Sequence, residues 1–451
     1  MIETINDCNR FQLENMGGEW ILHIVPVEED LHPIVNHPSI LFIRNTLTLK
    51  TYHFSFNHPD SVPSVSSDWF VKEILLKNTN RKWVLDKKAF TQMLSLSNVF
   101  DSNLLSHINS NEILDLSSYD TPAHFLVRKH TGIHPKVNLA IPLLKHKEAF
   151  DELADDISRI VKKFDLDDGL VKFSDLVMDT LGKLEQQGIF VDRKMFNDRF
   201  KIDVGPSGIV HSQYNVYTST GRPSNRFGGV NYAALNHEDG TRKCFRSRYG
   251  DDGRMVVVDY TTFHPRIICH LTNYNIPLET DIYEYLAKLY FQKKEVDESD
   301  IKNAKQLTFK QFFGGVEEEY SHIKYLANLK DFISTQWSFF KNNGYILTPI
   351  FKRMITAKHI TDPNPPKVFN YILQAVEGEL AIPKIKEVLE YLQNKKTKVV
   401  MYIYDSILLD FHRDDGYETL EKIRKIMSFD GIFPMKTYVG ENYHTVKLTL
   451  I

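Results

Sequence analysis

Three cysteines in 451 residues, Cys8, Cys244 and Cys269, are too few and too scattered for a disulfide framework. No C-x-x-C pair occurs, which argues against a structural zinc site. No run of about 18 apolar residues is present, so no membrane span is expected. Met1–Arg10 is polar and lacks the apolar core of a signal peptide. Neither sign of charge dominates: 55 Lys and Arg against 58 Asp and Glu leave a formal net charge of −3. That excludes the global basic field of histones and many repressors; a nucleic-acid role would need a local basic groove. Together these absences predict a protein of a reducing, cytoplasmic compartment (the host cytoplasm if the source is viral). On composition alone, an enzyme acting on small molecules is as good a reading as any.

What is present is ordinary globular material, 42% hydrophobic and 25% charged, which excludes disorder or a coiled coil as the main theme. One core rarely grows past roughly 250–300 residues, so two or three domains are expected. Residues 1–160 read as α/β. Trp20–Val25 and Ile40–Ile43 are apolar runs of strand length, and Leu47, Leu49, Tyr52, Phe54 and Phe56 roughly alternate. Helices are expected over Phe90–Leu94 and Ile113–Lys129. Another is expected to be capped by Ser174 and to end at Gly188. A turn-rich stretch from Thr218 to Gly253 carries Arg222, Arg226, Arg242, Lys243, Arg246 and Arg248, the first local basic cluster. Met255–Val258 is a buried-type strand ending in Asp259. Residues 280–292 and 299–313 read as helices, and a basic stretch spans Lys341–Lys358. Lys367–Gln393 reads as a helix bent at Pro383, Val399–Phe411 as strand-turn-strand, and Val439–Ile451 as mostly strand.

Three features carry chemistry only in combination. Asp259 ends an apolar strand. Lys305, Phe309 and Phe313 recur at i, i+4, i+8 on a helix and precede Gly314-Gly315. Asp405 sits mid-hairpin within an apolar run. A lone Asp after a strand is usually a turn or cap residue, and a Phe-x-x-x-Phe stripe is usually core. In this order they describe a phosphoryl-transfer site. Two carboxylates can hold two Mg²⁺ ions, and a helix can lay one Lys on a triphosphate and an aromatic against the base or sugar.

These residues resemble family A DNA polymerases. The first motif of that family, D-Y-S-Q-x-E-x-R, is matched by Asp259-Tyr260-Thr261-Thr262-Phe263-His264-Pro265-Arg266. The second, R-x-x-x-K-x-x-x-F/Y-x-x-x-Y-G, is matched by Ile301, Lys305, Phe309 and Phe313-Gly314. The third, H-D-E, is matched by Tyr404-Asp405-Ser406. Thr218–Arg222 resembles the T-x-T-G-R segment and Arg242–Phe245 the R-x-x-F before the first motif. Asn370 and Gln374 resemble the N-x-x-x-Q helix, and Gly440–Tyr443 the terminal G-x-N-W. Tyr345–Arg353 resembles the G-Y-x-x-T segment of the fingers.

The resemblance spans about residues 170–451 and implies an α/β and α+β chain with a right-hand palm and fingers. The palm is expected over 161–274 and 395–451, and the fingers with the template-binding helices over 275–394. Residues 1–160 would form a ribonuclease-H-like, exonuclease-like domain. The implied activity is template-directed addition of dNTPs to a primer 3′ end. Asp259 and Asp405 would be catalytic metal ligands and Lys305 a catalytic cation. Tyr260, His264, Phe309, Phe313 and Arg266 would line the nucleotide. Thr220, Arg222, Arg242, Asn370, Gln374, Tyr345 and Arg353 would meet primer-template DNA.

The departures are specific. The family's sugar-gating Glu is His264 and the Tyr bonded to it is Phe313, so a repacked gate is expected, imidazole against phenyl, with His264 blocking a 2′-hydroxyl by bulk. Ser406 replaces the second carboxylate of the third motif. Ile301 replaces the first Arg, and Lys302 lies about 100° round the helix from it. Only a short link near 193–208 stands where the family inserts its thumb. That predicts weak, salt-sensitive DNA binding and low processivity unless a processivity factor or second subunit supplies the grip. The exonuclease D-x-E is read at Arg44-Asn45-Thr46, so the first domain is expected to be degenerate, without proofreading. Such a chain looks like a phage, virus or mobile-element replicase. Two alternatives remain: a non-catalytic, polymerase-like DNA-binding subunit, and an RNA polymerase or primase-like enzyme.

Overall fold

In the computed structural model, which describes residues 5–28, 31–61, 65–96, 98–110, 143–164 and 168–449, the chain divides into two compact units, Met1–Gln186 and Gln187–Ile451. The helix expected over Ile113–Lys129 lies outside the described residues. Among them, no helix is long and apolar enough to cross a membrane.

The first unit opens with helix α1 (Ile5–Glu14) and is built on a five-stranded sheet of order β3-β2-β1-β4-β5. Its strands are β1 (Trp20–Pro26), β2 (Pro38–Asn45), β3 (Thr51–Ser55), β4 (Lys82–Val84) and β5 (Phe100–Asp101). β1 pairs parallel with β4 and β4 with β5, while β2 runs antiparallel to both β1 and β3. β2 is therefore the one reversed strand. β1 is apolar almost throughout because it is central and covered on both faces. Leu47 and Leu49 do not join the alternating strand expected of them. They lie exposed in the turn before β3, where Leu49 has a φ of 58°. Helices α2 (Lys87–Leu94) and α3 (Ser102–Ser110) follow β4 and β5. α4 (Leu143–Val161) then lays Phe150 on Phe42, ring centroids 5.3 Å apart. α5 (Gly169–Gln187) starts earlier than the sequence suggested, because Asp168 accepts the Leu170 N–H at 2.7 Å. Ser174 is interior to it and bonds back to the Val171 carbonyl, as a mid-helix serine can. The helix ends where expected, at Gly188, whose φ of 58° favours glycine.

In the second unit, β6 (Ile189–Phe190) pairs with β7 (Ile209–Val210), and the helix between them is α6 (Arg193–Phe200), capped by Asp192. A small sheet follows of β8 (Gln213–Asn215), β9 (Ser224–Phe227) and β10 (Val230–Asn231). The main sheet is antiparallel, of order β14-β15-β11-β16-β17, with β11 (Gly253–Tyr260) at its centre. Between β11 and the rest of this sheet run helices α7 (Phe263–Leu271), α8 (Ile282–Phe291), α9 (Glu298–Gly314) and α10 (Lys324–Asn343). The short hairpin β12 (Tyr345–Leu347) and β13 (Met354–Thr356) follows, then the long helix α11 (Pro365–Tyr391). α11 starts on an Asn364 cap with Pro365 at its first position and runs through Pro383 without ending. Strands β14 (Lys398–Ile403) and β15 (Ser406–His412), helix α12 (Tyr417–Met427), and strands β16 (Met435–Gly440) and β17 (Lys447–Thr449) complete the unit. α9 packs on α11, and α11 packs on α7, so α11 bridges the helices and the sheet.

Candidate active site

β11 and β15 pair with Asp259 opposite Ser406, which brings Asp259 beside the two-residue turn Tyr404-Asp405. The Tyr260 N–H donates to the Asp405 carbonyl at 3.0 Å and locks the two strand ends together. Neither carboxylate forms a salt bridge among the described residues. Asp259 is pushed up to about 7, by burial first and then by the neighbouring Asp405, against the pull of Lys436. Asp405 is raised as well, by burial first and then by Glu377. Two adjacent half-buried carboxylates that both hold their protons more tightly than usual are a site short of positive charge. Both turns are also strained. Thr262, just after β11, has φ 56°, and Tyr404, just before Asp405, has φ 57°. A β-branched and an aromatic residue in the left-handed region each cost on the order of 1–3 kcal/mol and must be held by their surroundings.

α9 presents the expected face. Asp297 and Asp300 form a reciprocal cap at its start, while Ala304, Thr308, Gln311 and Phe312 turn inward. Lys305 is exposed, 5.7 Å above the Tyr283 ring, with no carboxylate partner among the described residues. Phe309 and Phe313 stack with centroids 5.8 Å apart and planes 8° apart, and Phe313 is 44% exposed.

The gate is arranged differently from the expectation. Phe313 packs on Phe309, and His264 Nε2 instead lies 2.6 Å from Glu377 Oε2, on the buried side of α11. The other oxygen of Glu377 accepts from Arg222 Nε at 2.8 Å. The Arg222 guanidinium stacks on the Tyr404 ring at 3.8 Å and keeps 22% of its side chain exposed. Sequence reasoning missed Glu377. Its signal was an acidic residue three positions after Gln374 on an otherwise apolar helix face.

Several expected ligand-facing residues are structural instead. Tyr260 is buried, its hydroxyl on the Met427 carbonyl at 2.7 Å and its ring stacked on Phe263 at 3.9 Å, because a strand's period turns it to the face opposite Asp259. Arg266 is buried and donates to the carbonyls of Ile276, Pro277, Leu278 and Thr280, pinning the chain after α7. Arg242 is buried, bonds the Leu235 carbonyl and covers the Tyr443 ring at 4.3 Å. The Tyr443 N–H donates to the Phe245 carbonyl, so the R-x-x-F and G-x-N-Y stretches form one internal joint. Arg353 is buried beneath Gly221 and donates to the Thr218 carbonyl at 3.0 Å. At Gly221, with φ 75°, an added Cβ would lie 2.0 Å from Arg353 Nη1, so only glycine fits. Thr220 is buried and accepts the Arg222 N–H at 3.3 Å. Asn370 and Gln374 are half-buried neighbours on α11, and Tyr345 packs edge-on against Phe339.

In the first unit, β1 carries no carboxylate at all. The expectation at Arg44-Asn45-Thr46 examined the wrong strand: that triplet ends the reversed strand β2, and Arg44 is neutralised by Asp151 and Asp155 on α4. Asp86 caps α2 through the Ala89 N–H at 3.0 Å. Asp101 accepts the N–H groups of Lys87 and Leu104, at 2.7 and 2.6 Å, and is pushed up to about 8 by burial and by Asp86. Lys87 pairs with Asp175 and Asp179, and Lys88 with Glu185, all on α5. Among the described residues no group of three or more His, Cys, Asp or Glu side chains gathers to hold a metal.

The chain has the fold of a DNA polymerase domain. It is similar to the POL domain of Pol1 from M. smegmatis, solved in complex with a DNA primer-template and dNTP. The TM-score is 0.75 at 13% identity, over 98% of this chain and 99% of that one. No family model matches the chain, and no curated protein matches it in sequence.

Proposed function

We propose that the chain is a family A-type, template-directed DNA polymerase that adds dNTPs to a primer 3′ end. The observation that carries this reading is the pair Asp259 and Asp405, side by side at the ends of the central strands and short of positive charge. Their hard oxygen donors fit Mg²⁺, and two protein ligands suffice where phosphate oxygens and water complete the shell. When bound, two such ions lower the pKa of the primer 3′-hydroxyl and stabilise charge on the phosphoryl oxygens. The chain's own residues do the rest. Lys305, without a carboxylate partner among the described residues, neutralises the triphosphate. The Phe309–Phe313 stack supplies an apolar platform for the new base pair. His264 faces the sugar. Arg222, Asn370 and Gln374 contact primer and template; Thr220, Arg242 and Arg353 act by shaping that loop region.

In this reading residues 161–274 and 395–451 are palm, and 275–394 are fingers. The single eight-residue helix α6 supports a reduced thumb, hence salt-sensitive binding and low processivity without a partner. The strand order 3-2-1-4-5 with β2 alone reversed supports a ribonuclease-H-like first unit. Asp86 and Asp101 are spent on helix caps and Asp175, Asp179 and Glu185 on lysines, which supports the absence of proofreading and fits a phage-type replicase. Primer extension tests the core claim: dNTP addition that Asp259→Asn and Asp405→Asn both abolish is expected. DNA binding by the wild-type chain with no extension would overturn it in favour of a non-catalytic subunit, and a preference for rNTPs in favour of an RNA polymerase.

A further inference from the structure

Glu377 is fully buried in the middle of α11, and both of its oxygens are engaged. One accepts from Arg222 Nε at 2.8 Å, and the other meets His264 Nε2 at 2.6 Å. With both oxygens occupied, Glu377 is an anchor and not a third metal ligand. Its two partners lead to the two metal-binding turns. His264 lies two residues beyond Thr262, the left-handed residue that starts α7 directly after Asp259 and Tyr260. Arg222 stacks on Tyr404, the left-handed residue that precedes Asp405. One side chain thus braces both strained turns from behind.

An imidazole alone on a helix surface samples several rotamers and makes a poor wall. An imidazole hydrogen-bonded to a buried, fixed carboxylate is held to one, because leaving that carboxylate unpaired is costly. Groups that must discriminate by less than an ångström work only when such a supporting contact locks them.

We propose that Glu377 is the positioning residue for sugar selection. It holds the His264 ring fixed on the helix that follows Asp259, so that the ring excludes a ribose 2′-hydroxyl, and through Arg222 it ties that wall to the primer-side loop. The inference rests on the polymerase reading and goes beyond it, because it places the selecting carboxylate on α11, behind the residue that meets the sugar.

The test is steady-state incorporation of single dNTPs and rNTPs on a primed template. It uses the full chain, His264→Ala, Glu377→Ala, the volume-conserving Glu377→Gln, and the His264→Ala/Glu377→Ala double variant, with circular dichroism on each. The expected result is a rise of about tenfold or more in rNTP over dNTP kcat/KM for Glu377→Ala, seen chiefly as a lower rNTP KM. The double variant should match His264→Ala alone, since both changes remove one device. Glu377→Gln, which keeps shape and one acceptor, should lie between. An unchanged sugar ratio in Glu377→Gln and Glu377→Ala, with both nucleotides slowed equally, would assign Glu377 a merely structural role and overturn the proposal. If Glu377→Ala does not fold, the ratio for Glu377→Gln decides alone. Should the wild-type chain extend no primer with either nucleotide, the polymerase reading falls and this inference with it. Extension with an unmoved ratio sinks the inference only.

Discussion

Each unit places carboxylates at the ends of its sheet strands, and the two use them in opposite ways. In the first, Asp86 and Asp101 accept backbone N–H groups that begin α2 and α3, and the lysines between them reach Asp175, Asp179 and Glu185. Both acids and both lysines find hydrogen-bond or ion-pair partners within the first unit. In the second, Asp259 and Asp405 sit at adjacent strand ends without a salt-bridge partner among the described residues; burial and Asp405 raise Asp259, and burial and Glu377 raise Asp405. Of the nearby cations, Lys436 pulls on Asp259 only from a distance, and Arg222 is given to Glu377. In the proposed reading, the contrast is between acids that serve structure and a pair left without a salt bridge among the described residues, so that its compensation arrives with the ligand.

The comparison breaks most visibly if the two sets of acids respond alike to neutralisation. Asp259→Asn or Asp405→Asn is expected to lower single-turnover incorporation by on the order of 10³-fold or more, while Asp101→Asn leaves it within about twofold. Equal losses would erase the distinction. The next largest effect belongs to the buried ion pair. Lys88→Ala leaves the buried Glu185 without its cation, with Gln92 Nε2 still donating to it at 2.6 Å, and should cost about 3–5 kcal/mol in urea unfolding of the first unit, whereas Lys88→Met with Glu185→Leu should recover most of it. A loss below about 1 kcal/mol in the single variant would mean that the pair is hydrated and not structural.

Ligand linkage sharpens the contrast further. Mg²⁺ at about 100 times its dissociation constant should stabilise the second unit by about 2.7 kcal/mol, and Asp259→Asn should remove that gain without touching the first unit. Calorimetry that finds the shift in the first unit instead would reverse the assignment. The last contrast is a pH dependence. Folding raises Asp101 from its ordinary value to about 8, so the folded unit keeps a proton that the unfolded chain releases. Stability should therefore fall as pH rises from about 4 to 8, by at most about 1.4 kcal/mol per pH unit, and Asp101→Asn should flatten that slope. A wild-type curve that rises across this window would contradict it.

Much of the second unit was legible because strand ends and helix faces have short-range signatures. Asp259 after Met255–Val258, Asp405 inside a hairpin, and Lys305, Phe309 and Phe313 on one helix all follow from periodicities of 2 and 3.6. What sequence could not provide was pairing across more than a hundred residues. Glu377 is one acid on a long apolar helix until Arg222 and His264 arrive beside it. Arg242, Arg266 and Arg353 look like a basic groove in the sequence, yet each turns inward to carbonyl groups because a guanidinium can satisfy several at once. In the first unit the misread was one of strand rank. Ile40–Ile43 is as apolar as Trp20–Val25, and only the pairing shows which strand is central.

The Lys87 and Lys88 contacts also set a schedule for the growing chain. The first unit's sheet ends at Asp101, but the carboxylates that neutralise its lysines reside at Asp175, Asp179 and Glu185. At roughly 5–20 residues per second, those partners emerge from a ribosome on the order of 4–17 s after the last strand. Through that interval α2 carries two lysines that still await these partners. The last of them, Glu185, is made just before the first strand of the second unit.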